Sequence, residues 1–306
     1  MAGVLPLPDS PLVEADWLAE HLNAVIVLDC SIAREQTPQG QTRYVSGVAL
    51  FLQQHIPSAR FADLTSDFSH ASGAFPFTCP TAEALSAALQ AAGVNRRDTI
   101  VVYDQLNGAW AARVWYLLTV VFDFPAVRCL NGGLNAWQSA GGLLASGASA
   151  EIAPGDAQVS LVNSHALLST GQVVALAKRA PDRQRPLLCA LRETQYSGEE
   201  GSDPRSGHIP GSFSLPYPAL LDGAGRIDPD RVESAFQMLE LTADSEPVLY
   251  CGGGINAAGL ALALVAAGFP AKQLTLYDDS LNGWLHEPSL PTLRGAAPGR
   301  WPAGLN

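Results

Sequence analysis

The chain repeats itself, and a repeat at half the chain length constrains the architecture more than any local pattern. The first half carries Val27-Leu28-Asp29-Cys30, His55-Ile56-Pro57-Ser58-Ala59, Ile100-Val101-Val102-Tyr103-Asp104 and Leu130-Asn131-Gly132-Gly133-Leu134-Asn135-Ala136-Trp137. The second carries, in the same order, Leu187-Leu188-Cys189-Ala190, His208-Ile209-Pro210-Gly211-Ser212, Val248-Leu249-Tyr250-Cys251 and Tyr277-Asp278-Asp279-Ser280-Leu281-Asn282-Gly283-Trp284. His55 and His208 stand 153 positions apart, while Asp104 and Cys251, and Trp137 and Trp284, stand 147 apart. The copies therefore differ by short insertions or deletions. In each, β-branched runs such as Ile100 to Tyr103 alternate with helical stretches such as Thr81 to Ala92 and Ala257 to Ala267, closed by Gly93 and Gly268. That alternation predicts an α/β fold of two tandem domains, each a mainly parallel sheet flanked by helices. Ser146 to Ser160, with Gly147, Pro154, Gly155 and no periodicity, reads as the linker, placing the domains at 1–148 and 149–306.

Composition narrows the function. Of 306 residues, 47% are hydrophobic and 15% charged, which suits a packed globular chain. A net charge of -11 repels phosphate backbones and anionic bilayers, so neither nucleic acid nor a membrane is an expected partner. The longest apolar run, Gly259 to Ala271, is too short to span a bilayer, and Met1-Ala2-Gly3-Val4 lacks the marks of a secretion signal. The five cysteines, widely and irregularly spaced, form neither a disulfide framework nor a zinc knuckle. A reducing, cytoplasmic location is expected, with no metal and no cofactor. Cys30, Cys129 and Cys189 lie in or beside apolar runs and Cys79 precedes a proline, so these four read as ordinary thiols.

Cys251 differs, because it leaves an apolar strand and enters Gly252-Gly253-Gly254 before a helix starting near Asn256. Consecutive glycines between strand and helix can turn successive N–H groups inward into an anion-binding nest, to which the helix adds its positive end. A thiol there is expected to ionise more readily than a free cysteine and to act as a nucleophile. Two other readings stay open at this level: a buried structural cysteine, and a dinucleotide fingerprint in Gly252-x-Gly254-x-x-Ala257, which has too little chain after it for such a domain.

The tandem layout, the two His-Ile-Pro segments, the strand-Cys-Gly loop and the Tyr-Asp-x-Ser-x-x-x-Trp ending together resemble two-domain rhodanese-type sulfurtransferases over nearly the whole chain. The resemblance implies an inactive N-terminal copy, with Asp104 where the second domain has Cys251. It also implies a six-residue persulfide loop over Cys251, Gly252, Gly253, Gly254, Ile255 and Asn256. The implied activity passes a sulfane sulfur from thiosulfate or 3-mercaptopyruvate through a Cys251 persulfide to cyanide or another thiol, a thiol-bearing protein among them. The alternative is a non-enzymatic sulfur carrier or regulatory binding module. A Cys-dependent phosphatase of similar fold would need an Arg to clamp phosphate, and Ile255-Asn256-Ala257-Ala258 offers none.

The chain departs from its relatives where the donor binds. Gln195 stands where the resemblance places a substrate Arg, so a hydrogen-bond donor without charge replaces a guanidinium. Arg192 and Arg205 are the candidate substitutes, and His55 is the candidate cleft residue of the first domain. Asn256 is expected as helix N-cap or as an extra donor to sulfur. Trp137 and Trp284 are expected to cap the two cores.

Overall fold

A computed structural model describes residues 7–38, 42–201 and 203–304. The start Met1 to Val4, on which the expectation of no leader rests, lies outside them, as does Ser202. The chain forms two compact units.

Unit 1 contains β1 (Leu12–Val13), α1 (Ala15–His21), β2 (Ile26–Asp29), β3 (Ile32–Gln36), β4 (Thr42–Ser46), α2 (Val48–Gln53), β5 (Arg60–Phe61), α3 (Ala82–Ala91), β6 (Ile100–Tyr103), α4 (Ala109–Tyr116), β7 (Val127–Leu130) and α5 (Gly133–Ser139). Its sheet runs β1-β7-β6-β2-β5 with every pair parallel, and β3–β4 form a separate antiparallel ribbon. Unit 2 contains β8 (Leu167–Leu168), α6 (Thr170–Ala177), β9 (Leu187–Cys189), α7 (Glu193–Tyr196), β10 (Phe213–Ser214), α8 (Pro229–Leu239), β11 (Val248–Tyr250), α9 (Ile255–Ala266), β12 (Thr275–Tyr277) and α10 (Ser280–His286). Its parallel sheet reads β8-β12-β11-β9-β10, the strand order of unit 1 repeated. The central strands explain themselves: Ile100–Tyr103 and Val248–Tyr250 are buried throughout, as strands covered on both faces must be.

The landmarks repeat their contacts as well as their order. The Tyr103 hydroxyl accepts from Ile56 N at 3.1 Å, and the Tyr250 hydroxyl from Ile209 N at 3.1 Å, so each central strand pins its own His-Ile-Pro turn. Trp137 and Trp284 are buried in their cores, with indole N–H groups donating to Leu143 O at 2.7 Å and Pro291 O at 2.9 Å.

The boundary falls later than the composition suggests. Unit 1 runs to Asn163 and also takes in Asp222–Ile227, leaving Ser164–Leu221 and the chain from Asp228 onward to unit 2. The aperiodic stretch is no free linker but lies against α3. Gln90 Nε2 donates to Ala157 O at 2.9 Å, Gly155 N to Gln90 O at 2.9 Å and Ala157 N to Val94 O at 3.0 Å. These bonds run mostly through the backbone, which a search for apolar periodicity does not register.

His208 gives unit 2 a pH dependence. It is fully buried, its ring stacks on Tyr196 at 3.8 Å, and Nδ1 bonds Tyr196 O at 2.9 Å. Burial pushes the imidazole below its usual range. On acidification the unfolded chain takes up a proton near the ordinary histidine value while the native chain still refuses it. Stability is therefore complete above that value and declines as the pH falls toward the native one. Urea midpoints measured across this window should fall with pH, and His208→Asn, which keeps a donor for Tyr196 O, should flatten the decline.

Candidate active site

The loop after β11 is built as its glycines suggest. Tyr250 ends the strand fully buried, Cys251 follows at 3% exposure, and Gly254 adopts φ +80 as the residue preceding α9. That left-handed turn suits glycine and swings the chain directly into the helix. Asn256 is accordingly the second residue of α9 and not its cap, which corrects the expectation: the positive φ at Gly254 places the cap two residues earlier. The amides of Gly252, Gly253, Ile255, Asn256 and Ala257 donate to no protein group among the described residues, whereas Ala258 N already closes the first helical turn onto Gly254 O at 3.3 Å. The loop thus leaves a set of donors beside the thiol, at the positive end of a 12-residue helix.

Unit 1 shows what such a nest binds. Asp104 follows β6 as Cys251 follows β11, and its loop closes through Gly108 at φ +80 into α4. The Asp104 carboxylate turns back into that loop. Oδ1 accepts from Leu106 N at 2.8 Å and Gly108 N at 3.0 Å, and Oδ2 from Trp110 N at 3.0 Å and Ala111 N at 3.1 Å. With the two left-handed glycines aligned, Trp110 and Ala111 correspond to Asn256 and Ala257. The counterparts of these two amides, which hold the carboxylate's Oδ2 in unit 1, thus stand unclaimed in unit 2.

The second loop is tied down by the turn after β12. Ser280 Oγ accepts from Cys251 N at 3.2 Å and Gly254 N at 3.1 Å, and donates to Tyr277 O at 2.8 Å. Leu281 N donates to Cys251 O at 3.0 Å and Asn282 N to Gly252 O at 2.9 Å. The sequence marks Ser280 as part of a repeated landmark but not as a partner of the loop, because the amides that it binds lie 26 and 29 residues away. The signal available was its substitution, 147 positions on, for Gly133 of the first copy.

Of the other candidate residues, Arg192, Arg205 and His55 are engaged elsewhere. Gln195 lies half-buried on α7, which follows β9, and β9 pairs directly with β11, so α7 and the cysteine loop leave the same edge of the sheet. Arg192 is exposed and paired with Glu200, whose carboxyl the Thr194 hydroxyl and the Arg192 guanidinium hold below the usual range. Arg205 is spent on structure, donating to the carbonyls of Leu285 and Glu287. His55 does in unit 1 what His208 does in unit 2: it is buried, stacked on Phe51 at 4.0 Å, with Nδ1 bonded to Phe51 O at 2.8 Å. Its ring is occupied by holding the His-Ile-Pro turn, so a substrate-binding role does not follow from its position. Of the other thiols, Cys30, Cys129 and Cys189 are buried, and burial pushes all three up, Cys189 to about 12.

A model of the rhodanese-like domain matches residues 14–140 and 179–287, one match in each unit. The chain belongs to the rhodanese family. A Pseudomonas aeruginosa protein named "Probable 3-mercaptopyruvate sulfurtransferase" is 33% identical over 94% of this chain and 100% of its own. The 3-mercaptopyruvate sulfurtransferase of Escherichia coli is 30% identical over 91% of this chain and 96% of its own. Among solved structures, the 3-mercaptopyruvate sulfurtransferase SseA of Escherichia coli superposes with a TM-score of 0.75 at 27% identity, covering 89% of this chain and 98% of that one.

Proposed function

We propose that this rhodanese is a sulfurtransferase in which Cys251 carries the sulfur as a persulfide and unit 1 is a catalytically silent copy. One observation supports this above the rest: the loop that follows Cys251 keeps amides without a protein acceptor among the described residues, while the corresponding loop of unit 1 encloses the Asp104 carboxylate. The Cys251 sulfur attacks the outer sulfur of the donor and forms an S–S bond. With thiosulfate the bond to the sulfonate sulfur breaks and sulfite leaves with the electron pair. With 3-mercaptopyruvate the C–S bond breaks and pyruvate leaves after its carbanion takes up a proton. An acceptor, cyanide or another thiol, then attacks the outer persulfide sulfur and Cys251 leaves as thiolate.

Before and after each transfer the negative charge rests on the Cys251 thiolate or its persulfide, for which the unclaimed amides of Gly252, Gly253, Ile255, Asn256 and Ala257 are the available donors. Donors fixed beforehand in a buried site stabilise such charge without the reorganisation that water would need. Asp104 cannot start this cycle, because a carboxylate offers no sulfur nucleophile and already fills its own nest. The names carried by the relatives described above agree with 3-mercaptopyruvate as a donor.

The test is to incubate the protein with thiosulfate and, separately, with 3-mercaptopyruvate, and to weigh the peptide containing Cys251. The gain of one sulfur atom, removable by cyanide, is expected from at least one donor. No gain from either would leave the nest to a non-enzymatic carrier or regulatory module.

A further inference from the structure

Ser280 sits where a serine is conformationally out of place. Its φ is +50, a region that side-chain-bearing residues rarely adopt, and the matching residue of unit 1 is Gly133 at φ +55. The glycine serves the main chain equally well, since Leu134 N still reaches Asp104 O at 3.2 Å, as Leu281 N reaches Cys251 O. The shape of the turn therefore does not call for a serine. What the serine adds is its hydroxyl, fully buried, with its proton on Tyr277 O and its lone pairs facing Cys251 N and Gly254 N.

The two units fasten the same loop by different means. In unit 1 the Asp104 carboxylate gathers the amides from within, Gly108 N among them, and thereby fills the nest. In unit 2 the amide of the corresponding glycine, Gly254, turns to Ser280 instead. The loop is held at its first residue and at its left-handed glycine by a group that is not the reacting one.

We propose that Ser280 is a positioning residue for the chemistry of Cys251. By binding the amides of Cys251 and Gly254 it fixes the curvature of the loop, so that the amides of Gly252, Gly253, Ile255, Asn256 and Ala257 converge on the sulfur before any donor arrives. The inference rests on Cys251 being the nucleophile. It adds a residue that touches neither donor nor acceptor and acts through the loop.

Two variants and three readings test it. Ser280→Gly removes the hydroxyl and suits the positive φ, whereas Ser280→Ala removes the hydroxyl and keeps the unfavourable φ. For each, the rate at which iodoacetamide alkylates Cys251 is followed by peptide mass, kcat and KM for sulfur transfer are separated, and the melting temperature is recorded. Ser280→Gly should melt at or above the parent temperature, yet alkylate and turn over slower by on the order of tenfold or more, with KM changed less than about twofold. Ser280→Ala should lose the same reactivity and melt lower. Parent-like alkylation and kcat in Ser280→Gly would overturn the proposal, as would a loss that merely follows a fall in the folded fraction. Because alkylation needs no sulfur donor, a parent protein that loads no sulfur would refute the persulfide reading while leaving the role of Ser280 to be judged on alkylation.

Discussion

A Cys251→Ser protein is expected to fold and melt like its parent and to move no sulfur. The substitution exchanges one small buried atom for another inside an unchanged loop, so stability should shift by no more than about 1 kcal/mol. Transfer should fall by at least on the order of 10⁴, because a hydroxyl ionises far less readily than a thiol and cannot carry sulfur through the second step. No other described thiol is placed to compensate. Cys30, Cys129 and Cys189 are buried among apolar groups, and burial holds each in its protonated form. Cys79 is half-buried, with Sγ directed at Pro80 O at 3.4 Å. The measurements are a cyanide-acceptor assay, the mass of every cysteine peptide after donor treatment, and a thermal melt. Residual transfer with added sulfur on the Cys79 peptide would move the chemistry to unit 1 and refute the assignment.

The readability of this chain follows the range of the interactions involved. The strand ending at Tyr250 and a helix over Ala257 to Ala267 are legible in the sequence because apolar runs and a closing glycine are local signals, although the helix begins at Ile255. Cys251 was conspicuous because three consecutive glycines weaken a chain unless a loop needs their freedom. Asn256 was misplaced by one turn decision: a capping residue type two positions after a left-handed glycine is no longer at the cap. The boundary falls later than the composition suggests because residues 149–163 join unit 1 through bonds in which at least one partner is a main-chain group, and these leave little mark on side-chain periodicity. Arg192 and Arg205 were plausible as substitutes for a missing guanidinium until their partners, Glu200 in one case and two carbonyls in the other, came into view. Ser280 carries no local signal of a role, since the amides that its hydroxyl accepts from stand in the loop after the adjacent parallel strand.

Removing the Asp104 carboxylate should cost unit 1 more stability than any exposed change, because the group anchors the whole loop. It is 1% exposed and accepts from the amides of Leu106, Gly108, Trp110 and Ala111. Burial pushes the carboxyl up, and those amides pull it back toward the charged form that they bind. Asp104→Ala leaves the amides without an acceptor in a space that water enters poorly, at a cost of about 3–5 kcal/mol. Asp104→Asn keeps one carbonyl oxygen but turns an NH₂ toward two N–H donors, so an intermediate loss of about 1–3 kcal/mol is expected. Urea denaturation should rank parent above Asn above Ala, and formate, small enough to replace the lost carboxylate, should raise the midpoint of the Ala variant while leaving the parent unmoved. An Ala variant as stable as the parent would mean that the nest does not need an anion. Asp104→Cys should still transfer no sulfur. The first loop spans one more residue between strand end and left-handed glycine than the second does, Asp104 to Gly108 against Cys251 to Gly254. Nor can the missing hydroxyl be supplied by Gly133→Ser, since a Cβ there would fall 2.3 Å from Asp104 O. A thiol alone does not make the site; the shorter loop and the serine that holds it are the remaining conditions.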